Sequence, residues 1–157
     1  MENKQKFLSF NLGERDAAVI SLESITEVVP ISLSEICSVP QMPNCLLGIY
    51  NWRGEMLWLV DLENMLGYSP ISQKSNILSK MMAIVIRYES KSLGLVVRKL
   101  TDIDLLDKNQ MKPPESELFK PEIFPVLNGY FINQSEEIIV NLNTEEILNS
   151  PMWNTYV

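Results

Sequence analysis

Asp61, which closes the apolar run Leu57-Trp-Leu-Val60, and the trio Asp102, Asp104 and Asp107 are the carboxylates whose placement could do chemistry. A phospho-acceptor or general acid in the position of Asp61 would need alternating strands and helices, with acids clustered after the first strand. That alternation is missing here. An aspartate directly before Leu62-Glu-Asn-Met-Leu66 is instead accounted for as a helix cap. The trio has oxygen spacing that could suit calcium, but it lacks the glycine and the terminal glutamate of a calcium loop. Charges along the edge of a sheet, where they deter aggregation, explain it better.

The chain contains no histidine, which removes the usual transition-metal sites, Ser-His-Asp catalysis and phosphorylation on histidine together. Cys37 and Cys45 fit no zinc or redox spacing and read as free thiols in a reducing compartment. None of the 6 glycines falls in a phosphate-cradling pattern. A net charge of −7 with scattered basic residues argues against a nonspecific nucleic-acid binder. No cofactor, metal or catalytic residue is therefore expected, and the chain does not read as an enzyme.

Arg53 lies between Trp52 and Gly54 in Asn51-Trp-Arg-Gly-Glu55, a strand end entering a turn. A guanidinium there can bond carbonyls of its own fold, or offer its fork to a partner's carboxylates and carbonyls. Residue chemistry alone leaves those two readings level. Trp58, flanked by Leu57, Leu59 and Val60, reads as core, whereas Trp52 beside the turn reads equally as exposed.

Strands must position these residues. Phe7 to Leu12, the bend Gly13-Glu-Arg-Asp16 and Ala17 to Ile20 form one predicted hairpin. Met81 to Tyr88, Glu89-Ser-Lys-Ser92 and Leu93 to Val97 repeat that plan. Gly48-Ile-Tyr opens a segment ending in Leu57 to Leu66, and Gly129-Tyr-Phe opens one ending in Ile138 to Leu148. Copies roughly eighty residues apart imply two related lobes. Asp61 caps the first short helix and Gly67 stops it, while Asn143 with Glu146 predicts a capping box on the second. Short strands with turns rich in Gly, Asn and Ser predict small, closed or nearly closed barrels. Tyr68 to Ser79 and Pro113-Pro-Glu-Ser-Glu117 read as exposed connections, and no autonomous boundary divides residues 1–157. With 46% hydrophobic residues the chain can bury a core. Its opening Met1-Glu-Asn-Lys-Gln-Lys6 is too polar for a secretory core, and Met81 to Ile86 is too short to span a bilayer, so the expected place is the cytoplasm.

Taken together, Ile25-Thr-Glu-Val-Val29, Val39-Pro40, Pro43, Gly48, Asn51, Arg53, Gly54, Val60-Asp-Leu62 and Leu66-Gly67 resemble the CheW-like adaptor domain of bacterial chemosensory systems. Leu93-Gly-Leu-Val-Val97, Gly129 and Ile138 to Leu142 extend the resemblance over nearly the whole chain. It implies a mainly β fold of two five-stranded SH3-like barrels with short helices. It also implies a non-catalytic scaffold joining chemoreceptor cytoplasmic tips to the regulatory domain of a CheA-type histidine kinase, at receptor arrays on the inner face of the membrane. The output implied is flagellar, type IV pilus or phototactic motility. Partner-binding residues carried over by position are Glu27, Val28, Gly48 and Arg53, with Trp52 beside Arg53 added to them. Trp52 replaces a common leucine, Trp58 a proline and Arg98 an aspartate, so the partner surface is expected to be specialised.

The competing expectation is a small-ligand sensor using the groove between the barrels, motivated by Tyr50, Trp52 and Trp58. A carboxylate hydrolase has no convergent pair of acids to support it.

Overall fold

The computed structural model describes residues 3–71 and 80–153. Ten strands form two five-stranded sheets. Sheet A has the order β8 (Leu100–Asp107), β1 (Lys4–Leu12), β2 (Asp16–Ser21), β10 (Ile138–Leu142), β9 (Leu127–Ile132). Sheet B has the order β3 (Ile25–Ile31), β6 (Met81–Tyr88), β7 (Lys91–Val97), β5 (Glu55–Asp61), β4 (Leu46–Trp52).

The two orders are the same order. Each sheet takes a hairpin from one sequence copy, β1–β2 or β6–β7, and three strands from the other. The sequence repeat is therefore not the structural lobe: sheet B is contiguous, and sheet A is assembled from both ends of the chain around it. Within each sheet one parallel ladder, β5 with β7 or β10 with β2, joins two antiparallel groups. A β3-type strand ends and the chain then bridges to the sheet's far edge, at Cys37 with Ile49 in sheet B and at Lys112 with Tyr130 in sheet A. This curls each sheet nearly closed, as the many short strands predict.

Strand alternation assigns the core. Leu8 and Phe10 on β1, Ala18 and Ile20 on β2, Ile84 and Ile86 on β6, Leu93 and Leu95 on β7, Val60 and Leu142 all join one cluster drawn from both sheets. Burying each large side chain contributes about 1.5–3 kcal/mol. The opposite faces fill smaller cores: Leu57, Leu59, Ala83, Val85 and Val96 with Trp52 in sheet B, and Phe7, Val19 and Phe131 in sheet A. Phe7 and Phe131 meet edge to face at 5.6 Å.

Two short helices close the sheet ends. On α1 (Leu62–Met65), Asp61 accepts from the backbone N–H of Asn64 at 3.1 Å, and Gly67 follows in a left-handed conformation, φ 91°. Asn143 caps α2 (Thr144–Leu148) by accepting from Glu146 N–H. The reciprocal arm of the predicted capping box is replaced, because Asn143 N–H donates to the carbonyl of Val126. Both hairpin turns are tighter than predicted: Gly13 to Arg15 link β1 and β2, and Glu89-Ser90 link β6 and β7. Pro113 to Glu117 are exposed as expected, while most of the predicted connection Tyr68 to Ser79 lies outside the described residues. Among the described residues no helix is long and apolar enough to cross a membrane.

Candidate functional site

β4 and β5 are closed by the two-residue turn Arg53-Gly54, in which both residues take positive φ, 51° and 79°. Such a turn matches strand twist and favours Asn or Gly at its first position, so an arginine there is held against its own preference. Asn51 Oδ1 accepts from Gly54 N–H at 3.1 Å and pins the turn. A Cβ on Gly54 would meet nothing, so the glycine serves backbone conformation alone.

On β3 the ladder to β6 slips between Ile25 and Glu27, a bulge that re-aims Glu27. One oxygen of Glu27, Oε2, then accepts from Trp52 Nε1 at 2.7 Å and faces the Arg53 guanidinium at 3.1 Å. The guanidinium also lies 5.4 Å from the centre of the Trp52 ring. Trp52 is 5% exposed and acts as the rigid anchor; the Arg53 side chain is 67% exposed and is the group presented to solvent. An ion pair this open contributes only about 0–1 kcal/mol to folding. Its geometry serves orientation more than stability.

The remaining two expected positions lie elsewhere. Val28 pairs with Ile84 and packs against the shared core, on the opposite face of β3 from Glu27. Gly48 sits under the bridge to Cys37, where a Cβ would stand 2.2 Å from the Cys37 carbonyl oxygen. The structure thus gathers Glu27, Trp52 and Arg53, and places Val28 and Gly48 in the framework.

Trp58 is less buried than its core reading, and Trp52, left level between core and surface, resolves as buried. Trp52 is buried, and Trp58 is only half-buried, because β5 and β7 begin to pair at Leu59 and Gly94 and Trp58 precedes that junction. Tyr50 and Trp52 pack with the core of sheet B and Trp58 with the shared core, so the three do not form one aromatic cage.

Sequence reasoning noted Arg98 and missed its partner. Fully buried Glu63, in the first turn of α1, receives Arg98 Nε at 3.1 and 3.2 Å, an Arg98 terminal nitrogen, and the Gly13 N–H at 2.8 Å. Hydrogen bonding to Glu63 holds the Arg98 guanidinium above its ordinary pKa. Nearby, the Tyr68 hydroxyl donates to Asp16, and burial first and that bond second push its pKa up. Nothing in the local pattern of Leu62-Glu-Asn pairs Glu63 with a residue 35 positions on.

Asp61 is a cap, as expected, and its second oxygen accepts from Ile71 N–H at 2.8 Å. Burial pushes its carboxyl above the usual range, against the pull of the two backbone bonds. Asp102 and Asp107 accept from nearby backbone N–H groups and Asp104 from the Ser9 hydroxyl, all on edge strand β8. Among the described residues no group of three His, Cys, Asp or Glu could hold a metal, and both cysteines are free.

The CheW-like domain profile matches residues 6–152. Chemotaxis protein CheW of Helicobacter pylori is 25% identical over 147 residues, covering 94% of this chain and 83% of that protein. Chemotaxis protein CheW of Klebsiella aerogenes is 22% identical over 150 residues, covering 93% and 82%. The crystal structure of the scaffolding protein TtCheW from Thermoanaerobacter tengcongensis shares the fold, with a TM-score of 0.74 at 20% identity over 91% of this chain and 90% of that one. With one profile spanning both sheets and the Glu27–Trp52–Arg53 corner, this chain belongs to the CheW-like domain family.

Proposed function

We propose that the chain is a non-catalytic adaptor that couples chemoreceptor cytoplasmic tips to a CheA-type histidine kinase. One observation carries this reading. Arg53 is held in a strained turn by a buried tryptophan and a shared carboxylate oxygen, yet points most of its guanidinium at solvent. Strain kept at an exposed cation is the mark of a contact surface, since the pair adds little to folding. Family membership and the relatives named as chemotaxis and scaffolding proteins support the same reading.

In this role the whole chain acts as one domain of two lobes in the cytoplasm, recruited to receptor arrays beside the membrane. Glu27, Trp52 and Arg53 form the working corner. Val28 and Gly48 support it through the strands that carry it. The pathway controls flagellar, type IV pilus or phototactic motility, and the adaptor itself transfers no phosphoryl group.

The test is capture of partners from a native extract by tagged wild type and by Arg53→Glu, with mass spectrometry of what is retained. Wild type retains a CheA-type kinase and a receptor, and the variant loses one or both while melting at the same temperature. Absence of both partners from the wild-type capture after mild cross-linking would overturn the adaptor reading.

A further inference from the structure

The two sheets are copies in register, and their inner faces differ in kind. Ser9 pairs with Val19 and Val85 with Gly94, and those two partners meet Asn141 and Leu59 through the parallel ladders. Outward from there the ladders match Gln5 with Met81, Ser21 with Val96, and Asp104 with Val29. At these positions sheet B turns only apolar side chains inward, and Leu57, Leu59, Met81, Val85 and Val96 are buried around Trp52. Sheet A turns amides, hydroxyls and a carboxylate inward at the same positions, and the buried core of that face is Phe7, Val19 and Phe131.

The polar groups inside sheet A are only partly answered. The Ser9 hydroxyl donates to Asp104, and Gln5 Nε2 donates to the Ser21 hydroxyl. Asn141, 5% exposed, gives its amide to the Met111 sulfur at 3.3 Å, a weak acceptor. Among the described residues, the buried side-chain oxygens that lack a hydrogen-bond partner are Gln5 Oε1 and Asn141 Oδ1, both on this face. A buried acceptor left unanswered has lost its hydration with nothing in return, and an opening that admits water restores it. Met81 and Leu59, at the matching positions of sheet B, are penalised by the same exposure.

The seams differ in the same direction. In sheet B the edge strands β3 and β4 are latched by the bond from Trp52 Nε1 to Glu27 at 2.7 Å. By the ladder register, the counterparts of Glu27 and Trp52 are Asp102 and Asn133. Both are exposed, and both turn to their own backbone. Asp102 accepts from Ile103 N–H at 2.8 Å, and Asn133 Oδ1 accepts from the N–H groups of Ser135 and Glu137 at 2.9 Å. The latch is therefore missing between β8 and β9. The bridge of Lys112 to Tyr130 stays, but sheet B has its own version of that bridge in addition to the latch.

We propose that sheet A is a yielding lobe: it opens at the seam between β8 and β9 and admits water to its polar inner face, while sheet B stays closed. The lobe that opens carries none of Glu27, Trp52 and Arg53, so the exposed corner keeps its geometry through the opening. A partner seated on that corner would then be held by a rigid half joined to a compliant one. The inference does not rest on the adaptor reading of Arg53.

Native-state hydrogen exchange of the full chain in low urea, read in ¹H–¹⁵N spectra, tests it at matched ladder positions, Phe7 and Ser9 against Ala83 and Val85. After correction for intrinsic rates, the sheet A amides should exchange about tenfold or more faster, and with a smaller urea slope, than those of sheet B. Within sheet A, the amides joining β8 to β1 or β9 to β10 should exchange no later than those joining β1 to β2. One opening free energy and one slope shared by both sheets, earlier opening of sheet B, or first exchange between β1 and β2 overturns the proposal. Asn141→Leu, which copies Leu59, should slow exchange in sheet A by about fivefold or more. Should it fail to fold, Ser9→Val with Asp104→Val, which copies Val85 and Val29, gives the same readout. Sheet A exchange that a folded variant leaves unchanged would also overturn the proposal, by removing the polar interior as the cause of opening.

Discussion

The carboxylate of Glu63 and the guanidinium of Arg98 meet through two nitrogens of the arginine, with the carboxylate wholly buried and the Arg98 side chain one quarter exposed. Arg98 lies in the short link that carries the chain from sheet B to sheet A, and Glu63 also receives the N–H of Gly13 in the β1–β2 turn. One side chain of sheet B's closing helix therefore holds both the β1–β2 turn of sheet A and the link between the sheets. The charge at residue 98, unusual beside the family resemblance, is met inside the protein.

Removing only one member of this pair strands the other. Arg98→Leu leaves a buried carboxylate without its cation and should lower unfolding free energy by about 3 kcal/mol in urea melts. Arg98→Leu combined with Glu63→Gln should recover part of that loss, and a double-mutant cycle measures the coupling. A single variant as stable as wild type would show that the pair contributes nothing to holding the sheets.

Arg53→Asn separates the turn from its charge. Asparagine suits the left-handed first position of a two-residue hairpin turn, so thermal stability should be unchanged or rise by about 0.5–1 kcal/mol. Capture of the kinase or receptor should fall nonetheless. Loss of both stability and capture would make Arg53 a framework residue.

Gly48 and Gly129 meet the same obstacle in the two sheets: a Cβ would stand 2.2 Å from the Cys37 carbonyl oxygen and 2.4 Å from that of Lys112. Alanine at either position must displace backbone, and each should cost about 2 kcal/mol or more in chemical denaturation. Gly54→Ala meets no neighbour and should cost only the strain of its positive φ, about 1 kcal/mol.

Asp61 supplies a pH dependence whose sign follows from its raised pKa. The folded state binds that proton more tightly than the unfolded chain does. Acidification from neutrality through the folded pKa therefore stabilises the fold through this group, and the contribution is lost as pH rises. Asp61→Asn removes it. The difference in urea midpoint, wild type minus variant, should grow as pH falls from about 7 to about 5. A difference independent of pH would place the Asp61 pKa at its ordinary value.

Hairpins, helix caps and the duplication were legible in the sequence because each rests on local signals: alternation, a cap three residues before the backbone N–H it accepts from, a glycine past a helix end. Partner choice between distant strands was not. The β3 and β8 segments each follow a hairpin of their own copy and cross to the other sheet, and alternation reports only which face of a strand is apolar. Trp58 was misjudged, and Trp52 left open, for a related reason. Both strand faces around Trp58 are apolar, so its burial depends on where β5 leaves its parallel neighbour, while that of Trp52 on β4 comes from the sheet B core it packs into. The corner of Glu27, Trp52 and Arg53 was named by resemblance, but the single oxygen shared by an indole and a guanidinium emerges only once a bulge turns β3.

Nesting one sheet within the other also orders events during synthesis. Every strand of sheet B lies between Ile25 and Val97, so its ladders can be complete while the remainder is still on the ribosome. The β1–β2 hairpin, made first, must wait for β8, β9 and β10, and until Leu142 has emerged its unpaired edges are open to other chains. Of the strands of this domain, the first translated are the last to be sheltered.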